Sequence, residues 1–359
     1  MTQETPRQRR LRRLADLKET KQLPRVENAL RELRGVGADR PEVILLSPEF
    51  VISSRNEHGD RPPPPMSRLL HARGIALRFY LLALFVAQCR VGASDHSTNT
   101  LPLEGDGNTV GWSDLVAVDV AYNRQTGIYR QSTRQNRTLA TGRLRQIKGA
   151  LDSLEKHGLV EIDRSGRTKN YEKFTLRHEA GRGDYNTPRR YTVPTAGIPI
   201  PMDFFLHGWI QVLHSSEIAT WLVLRFLRRR FPQEHRKSGV FLYGQTREGV
   251  FALKRDAYQN SCRLLRDRDP DRDRNRDRGL GLLTDVTNEV FLTALDESAG
   301  GDQPSNEMPL FYSADDDDLV TDLSAAPYKP KRYRINDGPL EGDAAARLTQ
   351  ILQLQEHDS

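Results

Sequence analysis

Residues 141–177 read TGRLRQIKGALDSLEKHGLVEIDRSGRTKNYEKFTLR, the succession of a helix, a stop, a strand, a cationic turn and a second strand. Leu144, Ile147, Leu151 and Leu154 recur at three- and four-residue spacing, which puts them on one helical face and predicts its burial. Thr138 or Thr141 is a candidate cap, because a threonine oxygen accepts from a free amide of the first turn. Gly158 falls where a helix ends in left-handed backbone, a conformation glycine adopts without steric cost. Leu159, Val160 and Ile162 suit a strand, Ser165-Gly166 a turn, and Tyr171, Phe174 and Leu176 the start of the return strand.

The opposite helical face carries Arg143, Gln146 and Ser153, with Arg145 and Lys148 toward its edges. Cations suit phosphates, and Arg or Gln suits bidentate contact with base edges. Arg164, Arg167, Lys169 and Lys173 gather around the turn. Just upstream, residues 121–140 hold Arg124, Arg130, Arg134 and Arg137 and no acidic residue, an imbalance that favours a polyanion. Helix, glycine stop and cationic hairpin together resemble the recognition helix and wing of a winged-helix DNA-binding domain. The competing reading is a solvated helix followed by an ordinary hairpin.

Residues 74–89 (GIALRFYLLALFVAQC) are strongly apolar. The run is short of the ~20 residues that cross a bilayer, and Arg73, Arg78 and Arg90 flank or interrupt it, so a buried first helix is expected. Trp112-Ser113-Asp114-Leu115 reads as the start of the next helix, with Ser113 as cap.

After IPIP (residues 198–201), read as a Pro-rich junction, the plan repeats more loosely. Ser215 and Ser216 precede a helix whose Ile218, Trp221, Leu222, Leu224, Phe226 and Leu227 are apolar. A short helix over 245–250 and a turn at Phe251-Ala252-Leu253 lead to a second candidate recognition helix over 254–267. Ala257, Tyr258, Ser261, Leu264 and Leu265 are expected inside it; Arg255, Gln259, Asn260 and Arg263 are expected outside. DRDPDRDRNRDR (residues 267–278) is highly charged yet nearly neutral and is read as a solvated insertion.

The chain has 359 residues and a net charge of +6, with pI ≈ 9.3, a balance that suits nucleic acid. Its two cysteines, Cys89 and Cys262, make no disulfide framework or zinc spacing. The nine histidines fall in no zinc or metalloprotease pattern, though His207 and His214 lie close enough to be neighbours. No glycine-rich loop ends in Gly-Lys-Ser/Thr. Tyr122, Tyr129 and Tyr191 lie near basic residues but lack the companion set a tyrosine nucleophile needs. The expectation is a non-enzyme with no cofactor and no metal. The amino terminus shows no secretory signal, so a cytoplasmic protein without a membrane partner is expected.

Four regions are expected: a basic helical segment with a Pro-rich linker (1–66), a first winged helix (67–197), a second (198–296), and an acidic, largely disordered tail with a short terminal helix (297–359). The tail expectation rests on residues 294–324, which hold nine acidic residues and no Lys or Arg. The fold class is then mainly α with small β-hairpins (α+β). QIKGALDSLEKHGLVEI and PMDFFLHGWIQVLHSSEIATWLVL carry a resemblance, over residues 67–295, to plasmid-type replication initiators and to bacterial regulators with paired winged helices. The Arg/Asp insertion and the lack of a recognisable dimerisation motif depart from the initiators. The resemblance implies sequence-specific binding of double-stranded DNA in replication or transcription regulation, with a homodimer, and a protein partner for the acidic tail, as further candidates. The alternative is an interaction protein of a chromosome-organising complex, with winged helices as docking modules.

Overall fold

The computed structural model describes residues 4–36, 40–55, 59, 61–71, 74–90, 99–118, 135–165, 168–181, 189–267, 279–287 and 330–354; at 71, 135–139 and 236–237 it describes the backbone alone. The described residues are mainly helical, with three two-stranded antiparallel sheets, an α+β composition.

Helix α1 (Pro6–Glu19) starts with a capping box: Thr5 Oγ1 accepts from Gln8 N, and Gln8 Oε1 accepts from Thr5 N. Helix α2 (Gln22–Val36) buries Val26, Leu30 and Leu33. Strand β1 (Val43–Leu46), α3 (Pro48–Val51) and α4 (Pro65–His71) follow. Pro64 and Pro65 are buried, and Ser67 Oγ donates to the Phe251 carbonyl. The expected Pro-rich linker is therefore packed into the body.

Helix α5 (Ala76–Arg90) is the expected buried helix, with every residue from Ala76 to Cys89 covered. No helix among the described residues is long and apolar enough to cross a membrane. Trp112–Asp114 makes one 3-10 turn rather than the start of a helix, and the turn's cap is Gly111 instead of Ser113. The Asp114 carboxylate accepts from Gly111 N, while the Trp112 ring lies tilted against Phe79 and Phe174.

Helix α6 (Gln135–Lys156) begins six residues before Thr141, so Thr141 lies inside it and does not cap it. Its end is as expected. Gly158 has φ +72°, Leu159 N donates to Leu154 O and Gly158 N to Glu155 O, the paired bonds of a Schellman stop. Strands β2 (Val160–Asp163) and β3 (Asn170–Leu176) pair with Val160 opposite Leu176 and Ile162 opposite Phe174, and the register shifts before Asp163.

The IPIP stretch is strand β4 (Ile198–Pro201), paired antiparallel with β1. Ile198 and Ile200 point inward, as do Ile44 and Leu46. Pro199 faces Leu45, and proline has no N–H to donate. The Leu45 backbone bonds the other way: Leu45 N donates to Gln88 Oε1 at 2.8 Å, and Gln88 Nε2 donates to Leu45 O at 2.6 Å. An α5 side chain thus takes the place of a third strand.

The chain continues through α7 (Asp203–Leu206), α8 (Trp209–Val212), α9 (Ser215–Arg230), α10 (Pro232–Ser238), α11 (Gly244–Gly249) and α12 (Arg255–Leu265) to β5 (Leu283–Asp285) and β6 (Tyr333–Ile335). Ser215 and Ser216, expected before helix α9, are its first two residues; its N-cap is His214, whose N–H is held by Glu217 Oε2 at 2.8 Å. β5 pairs antiparallel with β6, and Val240 bridges to Tyr333. Helix α13 (Ala344–Leu354) packs on α1 and α8.

These contacts cross the expected boundaries: β6 pairs with β5, the terminal helix docks on the body, and one hydrophobic core among the described residues runs from Leu14 to Leu352. The acidic tract lies outside the described residues, as does most of the Arg/Asp insertion.

The two ends of the fold are joined by charge. The Arg10 guanidinium grips Glu217 bidentately at 2.6 and 2.7 Å and reaches Val212 O. Burial opposes ionisation of Glu217, but Arg10 outweighs it and holds the carboxyl below its ordinary value. Replacing Arg10 with Met should leave that charge buried and uncompensated, lowering stability by ~3–5 kcal/mol in urea denaturation. Arg10→Met combined with Glu217→Leu should recover most of the loss.

Glu179 is 2% exposed and accepts from Ser47 N at 2.9 Å. Burial pushes its carboxyl up to about 8, against that hydrogen bond and with help from the Glu49 charge. The folded state therefore holds a proton that the unfolded chain has lost. This contribution is full below the ordinary carboxylate range and falls as pH rises toward about 8, by up to ~1.4 kcal/mol per pH unit. Urea denaturation across that range should show the decline, and Glu179→Gln should flatten it.

Candidate nucleic-acid interface

Helix α6 packs through Ile147, Ala150, Leu151 and Leu154 and presents Thr141, Arg145, Lys148, Asp152 and Lys156 to solvent. Gly142 and Gly149 have open space where a side chain would stand, so that face is smooth between its charges. Gln146 and Ser153 are half-buried at its margins.

Arg143 departs from expectation. It is half-buried, and burial lowers the pKa of its guanidinium while the nearby Asp114 charge counteracts this. Arg25 of α2 stands close to it, its own pKa lowered to about 10 by burial first and by Arg143 second. Arg143 therefore lies at the junction of α6, α2 and the 3-10 turn, where its stem packs against protein. Among the described side chains, the outward cations of α6 are Arg145, Lys148 and, in its last turn, Lys156.

The hairpin cations are held by the helix. Lys169 Nζ lies 2.7 Å from Asp152 Oδ1 and 2.8 Å from Glu155 Oε2. Arg164 Nη2 is 2.8 Å from the same Glu155 oxygen, and the Tyr171 hydroxyl donates to Asp152 at 3.0 Å. Lys148 and Lys169 stand 5.6 and 5.9 Å from the Tyr171 ring centroid, a cation–π arrangement. Burial works against the charge of Glu155, but Lys169 and Arg164 overcome it and keep the carboxyl below its usual range. Hydrogen bonds from Lys169 to Asp152 and Glu155 raise the ammonium's pKa. Lys173 is exposed on β3. Arg124, Arg130, Arg134 and Arg167 lie outside the described residues, and Arg137 is placed in α6 by its backbone alone.

The second helix matches its expected partition closely. Tyr258, Ser261 and Leu265 are buried and Ala257 and Leu264 are half-buried, whereas Arg255, Gln259, Asn260 and Arg263 are exposed. Its N-cap, Lys254, makes no side-chain capping bond. Arg263 donates to Asn260 Oδ1 at 3.2 Å. The outward stripe does not stand proud of the surface: Arg255, Gln259 and Arg263 line a cleft of about 810 Å³ whose other walls include Arg247 of α11, Arg266 and Lys331.

Three of those cations had no sequence signal. Arg266 follows the end of α12, Arg247 sits in a six-residue helix, and Lys331 is far downstream, brought to the cleft by the β5–β6 pairing and the Val240–Tyr333 bridge. The Asp152 and Glu155 partners of the hairpin were equally hidden, because the match depends on the register of β3 against α6.

Nothing among the described residues gathers three His, Cys, Asp or Glu side chains suited to a metal ion. His207 and His214 are not partnered: His207 Nδ1 is 2.8 Å from Leu340 O, whereas burial, reinforced by Arg10, pushes His214 down to about 4. Both cysteines are buried, and burial pushes each thiol up to about 12, far from the range of a nucleophilic thiolate.

No protein-family model, no curated protein and no solved structure matches the chain.

The ion pairs between helix and hairpin make a specific expectation. Asp152→Asn with Glu155→Gln should detach Lys169 and Arg164, so amide hydrogen exchange across β2 and β3 should quicken while the α5 amides stay protected. Equal exchange in both proteins would show that packing alone holds the hairpin.

Proposed function

We propose that this chain is a non-catalytic, sequence-specific duplex-DNA-binding protein built on two winged-helix units, acting as a plasmid-type replication initiator or a transcription regulator. The observation that carries the reading is the pairing, in each half, of a helix packed on its inner face with an antiparallel strand pair behind it. Each such helix turns Arg, Lys or Gln outward. In the first unit Arg145 and Lys148 serve phosphates, and Gln146 reaches a base edge from the margin of the same face. In the second unit Arg255, Gln259 and Arg263 add cationic surface. Non-specific attraction from a basic chain brings the DNA in, and base contacts select the site.

The test is binding of fluorescent duplexes, selected from a random pool, by the full chain. Gln146→Ala should lose ~1–3 kcal/mol of discrimination at the base it contacts, leaving random duplex unaffected. Arg145→Ala with Lys148→Ala should weaken all duplexes alike and make the dependence on salt shallower by about two in the log–log slope. No affinity of the native chain for any duplex at physiological salt would defeat the reading and favour a protein-docking role.

A further inference from the structure

The cleft against α12 has a shape and a charge pattern that its helix alone does not explain. Among its described lining residues are five cations, Arg247, Arg255, Arg263, Arg266 and Lys331, and one carboxylate, Glu248. Glu248 is already engaged, 2.6 Å from Arg247. Asp285 stands 3.7 Å from Arg266 and 3.5 Å from Lys331, which anchors the back wall and leaves Arg255 and Arg263 to set the charge of the open side. Arg247 is fixed from below by its bond to the Leu253 carbonyl. Arg247 and Arg266 are buried, so these two guanidiniums belong to a formed wall.

Two geometric facts decide what such a cleft can take. Arg255 and Arg263 lie eight residues apart on one helix, which separates them by ~12 Å. One small anion cannot satisfy both, whereas a nucleic-acid strand repeats its phosphate charge along its length and can meet both. The second fact is concavity. Reading base edges requires a helix that enters a major groove ~8.5 Å deep. Side chains flanked by α11 on one side and β6 on the other do not enter a groove; they receive a ridge. The ridge that a duplex offers is its sugar-phosphate backbone.

We infer that the α11–α12–β6 cleft is a backbone clamp for one strand of the DNA, gripping phosphates without reading sequence, so that sequence is read by the α6 unit. This inference rests on the duplex-binding reading and divides the labour between the two units. Positioning contacts to phosphate fix register and carry no sequence information themselves, which suits a cleft whose described charged groups are cations but for Glu248.

The experiment compares the native chain with Arg255→Gln/Arg263→Gln and with Lys331→Gln, on a duplex selected from a random pool and on random duplex, over a series of salt concentrations. The substituted side chains are at the surface, and unchanged thermal melts establish that the variants fold. The double variant should lose affinity for both duplexes by the same factor, with the log–log salt slope shallower by about two, and Lys331→Gln by about one. An altered ratio between selected and random duplex at unchanged slope would overturn the clamp in favour of base reading by α12. Unchanged affinity and slope in both variants would overturn it by showing the cleft unused, while the duplex-binding reading itself stands on the native chain. Displacement of the duplex by micromolar inorganic pyrophosphate would overturn it in favour of a small-anion site. A native chain that binds no duplex fails the broader reading, an outcome separable from all of these.

Discussion

A helix that is apolar on every side must be covered on every side, and α5 imposes that requirement on the whole chain. Its aromatic and aliphatic side chains meet α2, α4, α6 and strand β1, while the Phe85 ring lies tilted against Phe205 of α7. No single helix–hairpin unit could supply that coverage. The amino-terminal helices and the β1–β4 pair are drawn in because α5 would otherwise expose them a surface of Leu, Phe and Val. Gln88, almost at its end, is buried and uses its amide to satisfy Leu45 and to donate to the Tyr191 hydroxyl at 2.9 Å. A buried amide without partners costs ~1–3 kcal/mol, so Gln88 specifies the register of β1 as well as filling space.

Charge is arranged by the same economy. Arginines whose neighbours are apolar are tied to carboxylates or backbone carbonyls: Arg10 to Glu217, Arg225 to Asp337 at 2.5 Å, Arg78 to Leu213 O. Those at the two helix faces are disposed differently. On α6 the carboxylates Asp152 and Glu155 hold Lys169 and Arg164 of the hairpin, while Arg145, Lys148 and Lys156 face solvent. At the α12 cleft Glu248 is engaged with Arg247, and Asp285 with Arg266 and Lys331. The two units therefore differ in the kind of surface they offer, although their order of elements is alike.

Local pattern and long-range pairing separate what could be read from the chain. The α6 stop at Gly158, the burial of α5 and the two faces of α12 follow from period, glycine and apolar spacing, all of which act within a few residues. The strand character of IPIP was illegible because alternation of Ile and Pro only becomes a strand once β1, some 150 residues earlier, lies beside it. The return of residues 330–354 was hidden for the same reason: a three-residue strand has no signal until its partner is known. Arg143 illustrates a subtler limit. Helical spacing put it outward, but it lies at the edge of the stripe, where the approach of α2 decides how much water it keeps.

The clearest consequence of these placements concerns rigidity. Arg10 of α1 holds α9, α13 rests on α1 and α8, and the Phe251 carbonyl accepts from Ser67 of α4, so elements of the two units are bonded through the amino-terminal region as well as through the shared core. Interfaces between independent domains are small and permit relative motion; here the connection is a continuous hydrophobic interior reinforced by a bidentate ion pair. On the proposed reading, a polyanion bound at one unit would meet the other in a fixed orientation, without the entropic cost of aligning two tethered modules. That constraint gives the amino-terminal helices a mechanical role: they convert two helix–hairpin units into one surface.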